Sequence, residues 1–326
     1  MDLIITTPGS YISLHDGIFQ VSNREDKTTI APSRVERVII TTHAAISTDA
    51  IKTCLENNID LILIQDNGDV IGRFWLARFG SIAAIRRRQL ELYQTEQGLA
   101  IALDWIASKL LNQINFIQDL AKNRPALADT LSGFAHAIVI NREKLIEIKE
   151  KTLDDTRGTI QGLEGSASNS YFKALAMSIP ERYHFEGRSR QPAKDPFNAF
   201  INYAYGILYA MVERACIIAG LDPYIGFIHT DNYNKPSLVY DIIENFRIYA
   251  DICVFHLFSQ KKIANHMVRE IPKGYSLNQE GKKELFTAFN EYLDKIVHYG
   301  SKNMKRRQTI QAFCHRFANS LIEEGK

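Results

Sequence analysis

Two rhythms of apolar and polar positions divide this chain, and one gives way to the other near residue 80. Over residues 1–78 the apolar runs are short, rich in Ile, Val and Leu, and bounded by turn residues, which predicts strands. The runs are DLIIT at 2–6, YISL at 11–14, IFQVS at 18–22, RVERVIITT at 34–42, DLILIQ at 60–65 and VIGRFW at 70–75. Between the second and third runs stand His15, Asp16 and Gly17. Asp-Gly supplies the positive φ that a tight hairpin turn requires, so these two runs should pair. A polar loop follows at 23–27, and Asp66 to Asp69 make a further turn. The segment 47–58 has a helical period, with Ser47 or Asp49 near its cap.

From Ile82 onward apolar residues recur at every third or fourth position. This predicts helix over most of 84–122, then over 132–151, 163–178, 196–219, 238–258, roughly 281–299 and 306–323. The expected fold class is therefore α+β: a small N-terminal mostly-β domain, residues 1–78, followed by a large all-α C-terminal domain, residues 79–326. A length of 326 residues agrees with two domains.

Composition narrows the class of protein. Hydrophobic residues make up 45% and charged residues 23%, the balance of a soluble globular chain. No apolar run is long enough to span a bilayer. The first residues lack a basic segment and carry Pro8 and Gly9 where a signal peptide needs an apolar core, so a cytoplasmic location is expected. Cys54, Cys216, Cys253 and Cys314 form no CxxC pair and read as buried apolar residues. Residues 1–78 hold 7 Lys/Arg against 10 Asp/Glu, a net −3, which leaves +5 on the remainder. A polyanion should prefer the second part.

Three segments of the helical part carry candidate chemistry. In the first, Glu164 stands between Gly162 and Gly165 in a run of small residues near an expected helix start. It is either an acid that complements the helix dipole or a ligand. The second is a basic loop with Arg188, Arg190 and Lys194, which runs into Asp195-Pro196, a strong helix start. Cations beside a helix N-terminus suit phosphate. Tyr203, Tyr205 and Tyr209 on that helix read as core. In the third, Gly220 ends a helix, His229 closes a turn-rich stretch, and Asp241 and Glu244 share a helix face. Two acids on an otherwise apolar helix need a cation, and Arg247, three residues beyond Glu244, is one source. One imidazole with several carboxylates suits Mn²⁺ or Mg²⁺ better than a structural zinc.

These segments, LEGSASNSYF, GRSRQPAKDPFNAF and GLDPYIGFIH followed by KPSLVYDIIENFR, resemble in order and spacing those of the CRISPR-associated protein one family, the integrase and endonuclease of CRISPR adaptation. The resemblance spans nearly the whole chain and implies the same two-part architecture. It implies that Glu164, His229 and Glu244 are the catalytic, metal-binding residues. In the last position many relatives carry Asp, and Glu is one methylene longer. Asp241 then lies either behind the ligands or among them as an alternative. The resemblance also implies that Arg188 and Arg190 line the path of DNA, with Asn198 and Tyr171 near the active site and among the residues that bind DNA. Lys194 is expected on the DNA path as well. Of two further basic clusters, Arg86 to Arg88 and the group Lys302, Lys305, Arg306 and Arg307, the second is the better candidate for phosphate contact.

The implied reaction is transesterification. The 3′-hydroxyl of an incoming duplex attacks a phosphate at the edge of a CRISPR repeat, with Mn²⁺ or Mg²⁺ at the site. The implied partners are double-stranded DNA, a second copy of the chain joined through the N-terminal domains, and CRISPR-associated protein two as a central adaptor. No membrane is involved. Two rivals remain: a stand-alone structure-selective, metal-dependent nuclease, and a non-catalytic DNA-binding scaffold whose acids merely pair with Arg247.

Overall fold

In the N-terminal part, turn chemistry sets the strand pairing. The computed structural model describes residues 1–23, 26–57, 59–65, 68–74, 83–149, 152–229 and 235–323. Strands β1 (Asp2–Ile5), β2 (Ser10–His15), β3 (Ile18–Ser22), β4 (Lys27–Ile30), β5 (Arg37–Ile40) and β6 (Ala44–Ile46) precede helix α1 (Thr48–Glu56). Strands β7 (Asp60–Ile64) and β8 (Val70–Phe74) follow. The expected hairpin forms: β2 and β3 pair antiparallel, and Asp16 and Gly17 both have positive φ. Ser47 caps α1 by accepting the Ala50 amide. The strands β4 and β6 were not evident in the pattern. They complete a sheet of order β4-β3-β2-β6, while β1-β5-β7-β8 form a second sheet whose first three strands run parallel.

That second sheet is buried on both faces, and alternation along its strands shows how. Val38 and Ile40 of β5 and Leu61 of β7 point into a small core with Ile5, Ile12 and Phe19. Their neighbours Ile39, Ile62 and Ile64 point the other way, into the core of the helical part. Successive side chains on a strand face opposite sides, so one sheet closes two cores at once. The expected boundary at 78/79, the turn residues Asp66 and Asn67 and the start of the helical pattern at Ile82 lie outside the described residues.

The helical part comprises α2 (Ala83–Leu92), α3 (Glu96–Lys122), α4 (Ala128–Ile146), α5 (Leu153–Ser178), α6 (Pro196–Ile218), α7 (Ser237–Ile243), α8 (Arg247–Ser259), α9 (Gln279–Asp294) and α10 (Arg306–Glu323). It also carries two hairpins. Strands β9 (Val268–Ile271) and β10 (Gly274–Leu277) pair before α9, and β11 (Ile296–Tyr299) and β12 (Lys302–Lys305) pair after it. The helix expected over roughly 281–299 therefore stops at Asp294, and the chain turns back at Gly300, which has positive φ. Helix α6 is buried almost all round, the mark of a central helix. Among the described residues, no helix is long and apolar enough to cross a membrane.

The N-terminal part is locked onto α6 by a backbone contact and by buried ions. Gly68, in the turn between β7 and β8, lies against Gly206, and a Cβ on Gly206 would overlap the Gly68 carbonyl. Arg73 of β8, almost fully buried, donates to the Ala210 carbonyl at 2.6 Å and pairs with Glu213 at 3.2 Å. Arg307 of α10 spans the same junction, reaching Glu36 at 3.3 Å and Asp294 at 2.8 Å. Replacing Gly206 with Ala should overpack this contact and cost about 1–3 kcal/mol. A melting temperature in the Gly206→Ala variant equal to that of the parent would show that the turn is not seated there.

Candidate active site

The candidate site lies where α3, α5, α6, the loop at 187–190, the loop ending at His229 and the junction of α7 and α8 meet. They enclose a cavity of about 340 Å³. Glu164, His229, Glu244, Arg188 and Arg190, separate in the sequence, all line it. So do Lys109 and Gln113 of α3, Tyr205 of α6 and Arg247 of α8.

The loop that carries His229 is set by three devices. Gly220, with positive φ, ends α6 as expected, and the Leu221 amide donates to the Cys216 carbonyl. Gln89 of α2 then clamps the loop: its amide donates to the Asp222 and Ile225 carbonyls at 2.9 and 2.8 Å, and its oxygen accepts the Asp222 amide at 3.0 Å. Gly226 passes so close to α7 that a Cβ would strike Ser237 and the Asp241 carboxylate. The reason for that approach is Asp241 itself. Fully buried, it accepts the backbone N–H groups of Phe227, Ile228 and His229 at 2.5, 3.2 and 3.1 Å. Its Oδ1 also lies 2.6 Å from His229 Nδ1. Both oxygens are thus committed to orienting the loop and the imidazole, which leaves Nε2 for the cavity. Of the two roles open to Asp241, this geometry favours the one behind the ligands.

Glu244 lies at the end of α7, where the chain departs from the continuous helix expected over 238–258. The amides of Glu244, Asn245 and Phe246 bond three residues back rather than four, a local tightening between α7 and α8. Glu244 is buried, and its two oxygens have different cations: Arg247 Nε at 2.8 Å from Oε1 and Lys109 Nζ at 2.6 Å from Oε2. Burial raises its pKa, but Arg247 and Lys109 outweigh burial and hold it at about 2. Arg247 is therefore half of the answer for Glu244 and no part of it for Asp241.

Glu164 does not stand at a helix start. Helix α5 begins at Leu153, so Glu164 lies well inside it, and the dipole reading fails because that effect fades beyond the first turn. Its carboxylate accepts from Lys109 Nζ and, at 3.1 Å, from the Ser168 hydroxyl. Burial opposes ionisation here too, yet the Lys109 charge keeps the pKa below its ordinary value. The sequence reading missed Lys109. The signal was a lysine on the apolar face of α3, beside the buried Ile106, Leu110 and Gln113.

Behind the cavity lies a buried layer. The hydroxyls of Tyr171 and Tyr205 donate to Asp251 at 3.2 and 2.6 Å. The guanidinium groups of Arg247 and Arg188 sit over the Tyr205 ring, 4.6 and 5.3 Å from its centre. Tyr171 is fully buried, which corrects the expectation that it meets DNA; it supports Asp251 instead. Asn198 is likewise fully buried. It accepts from the Ser189 amide at 2.9 Å and Arg188 Nη1 at 3.0 Å and donates to the Gly187 carbonyl at 2.8 Å, so it shapes the basic loop from within. Asp195 caps α6 as expected.

Two expected groups lie elsewhere. Lys194 is exposed in a separate depression with His184 and Glu186. Lys305 pairs with Asp294 at 3.4 Å and Arg306 stacks on Tyr292, at the foot of α10, and neither lines the central cavity.

Among the described residues, no three His, Cys, Asp or Glu side chains converge closely enough to enclose a metal ion. The donor set nevertheless suits a hard divalent cation. Two ionised carboxylates and an imidazole held from behind share one cavity, and Gln113 Oε1 is buried there with no hydrogen-bond partner among the described residues.

Comparison with known proteins places this geometry in context. Residues 3–291 match the family model described as CRISPR associated protein Cas1. The chain is 33% identical over 316 residues to a protein of Archaeoglobus fulgidus named CRISPR-associated endonuclease Cas1 1, covering 93% of this chain and 91% of the relative. In fold it is similar to a casposase bound to its integration product, with a TM-score of 0.85 and 22% identity over 99% of this chain and 91% of that one. It is similar also to a chain of a Cas6-RT-Cas1–Cas2 complex, with a TM-score of 0.79 and 21% identity over 99% of this chain and 35% of that one. At these identities the two structures show a shared fold.

Two outcomes test the site's construction. Asp241→Asn replaces an acceptor of three backbone amides with a group that is half donor, and should cost about 2–4 kcal/mol of stability. An unchanged denaturation midpoint would contradict this role. Burial pushes the Asp251 carboxyl from 3.8 up to about 6, so the fold favours its neutral form. Its contribution to stability is complete below the unfolded pKa and is lost as pH rises through about 6, a change of about 3 kcal/mol. Stability of Asp251→Asn relative to the parent should therefore rise between pH 4 and 6 and level off above. A flat difference across that window would count against it.

Proposed function

The chain belongs to the CRISPR-associated protein Cas1 family, and from that premise we propose that it is a metal-dependent DNA integrase and endonuclease that inserts spacer DNA into a CRISPR array. The observation that carries the reading is one cavity lined by Glu164, Glu244 and an imidazole braced by Asp241, with Arg188, Arg190 and Arg247 around it. Glu164, His229 and Glu244 would hold Mn²⁺ or Mg²⁺. When bound, such an ion supplies Lewis acidity at the scissile phosphate and offsets charge that develops there. Asp241 keeps the imidazole in the orientation and tautomer that a ligand needs. Arg188 and Arg190 meet the phosphate backbone, and Asn198 fixes the loop that presents them. The Asp251, Tyr205 and Arg247 stack resists displacement of Glu244 as substrate enters.

The substrate is double-stranded DNA. A 3′-hydroxyl attacks a repeat-edge phosphate, a P–O bond forms to it, and the leaving strand departs with its own 3′-hydroxyl; with water as the attacking group the same site cleaves DNA. We assign residues 1–78 to dimerisation and residues 79–326 to catalysis, with CRISPR-associated protein two as the central adaptor of the assembly. A Cas1-containing chain in complex with Cas2 shares this fold, and the acidic balance of residues 1–78 suits protein contact better than DNA contact. The setting is the cytoplasm.

The test is strand transfer by the full chain and its adaptor on a supercoiled plasmid carrying a repeat, with a short duplex and Mn²⁺ or Mg²⁺. Products joined at the repeat edge should fall by at least about 100-fold in His229→Ala, beyond the loss typical of outer partners of a metal ligand. Cleavage without joining would favour a stand-alone nuclease. A folded parent with no metal-dependent reaction would leave only the scaffold reading.

A further inference from the structure

The cavity contains a cation that the reaction just proposed does not use. Lys109 is only 8% exposed in its side chain, and its ammonium bridges Glu164 Oε1 and Glu244 Oε2, residues that reach it from α5 and from the end of α7. Arg247 already occupies the other oxygen of Glu244. Two carboxylates, one ammonium and one guanidinium make a locally neutral group. A divalent ion added to it would leave two surplus positive charges in a half-enclosed space.

On the reading of Glu164, His229 and Glu244 as metal ligands, we propose that Lys109 is a built-in competitor of the divalent ion for the oxygens of Glu164 and Glu244, so that the ion binds tightly only when a DNA phosphate takes up the displaced ammonium. A lysine suits this task because its charge rides on four rotatable carbons. It can swing from the carboxylates into the cavity, whose wall beside Glu164 is formed by Gln161, Ser168 and Asn169. These neutral side chains offer no alternative anion, whereas a backbone phosphate entering past Arg188 and Arg190 does. Ion and DNA then bind with positive coupling, each raising the affinity for the other by the same factor. The consequence is a site that resists loading in the absence of substrate.

The experiment measures Mn²⁺ binding to the full chain by calorimetry and by the electron paramagnetic resonance of free Mn²⁺, with and without a short duplex. Four proteins are compared: parent, Lys109→Met, Lys109→Gln and Glu164→Gln. Without DNA, both Lys109 variants should bind Mn²⁺ at least about tenfold more tightly than the parent, a conservative figure for freeing two buried carboxylates from their cation. DNA should tighten Mn²⁺ binding in the parent and do so much less in the variants. Equal or weaker binding by folded Lys109 variants would overturn the proposal and show that the ammonium merely gathers the carboxylates. If either variant melts early without metal, the increase in melting temperature on adding Mn²⁺ must exceed that of the parent, and an equal or smaller increase overturns the proposal too. Glu164→Gln separates the two levels. Mn²⁺ binding undiminished in that variant would refute the ligand assignment itself, whatever Lys109 does.

Discussion

Like charges do not gather unless something holds them, and in this protein the holding is done by Lys109. Glu164 is fixed within α5 and Glu244 at the tightened end of α7, and an ammonium from α3 lies between the two carboxylates and offsets their repulsion. The same contact joins α3, α5 and the end of α7. Truncating Lys109 would leave Glu164 without its cation, whereas Glu244 would keep Arg247.

A second carboxylate works in the opposite sense. Among the described residues, Asp241 meets no cation from a lysine or arginine; it accepts from three backbone amides and lies against an imidazole nitrogen. The helix face that carries both acids thus splits its labour. One acid faces the cavity through charged partners, and the other faces inward and fixes the loop that ends in His229. Gly226 permits the second task, because only a residue without a side chain lets the loop pass so close to Asp241.

What could be read in the sequence was local chemistry. The Asp16-Gly17 hairpin, the caps at Ser47 and Asp195 and the helix stop at Gly220 depend on residues close in sequence, and each formed as read. The β-rich beginning and helical remainder followed from period alone. Glu164, His229 and Glu244, which the resemblance implied to be metal-binding, line one cavity, and among the described residues no three His, Cys, Asp or Glu side chains close around a point. What could not be read was partnership at a distance. Nothing between 238 and 258 marks a change of helical register, because no Gly or Pro is present; the tightening at Glu244 arises from the tertiary surroundings. Tyr171 and Asn198 stand beside functional residues in the motifs, but their burial shows that they support the site from behind. In the basic run at 302–307, the pairing of Arg307 across the two parts of the chain and the stacking of Arg306 on Tyr292 had no local signal. The hairpin before it had a signal that helical periodicity masked: β-branched Ile296 and Val297 ahead of Gly300.

The seat of Gly68 on Gly206 has a mechanical meaning. A contact between two backbones has no side chain that can rearrange, so it admits little change in spacing. Gly206 is adjacent to Tyr205, on which two arginines of the cavity rest. The seat of the N-terminal turn and the ring under the cavity's arginines thus belong to consecutive residues of α6, so one stretch of helix fixes both.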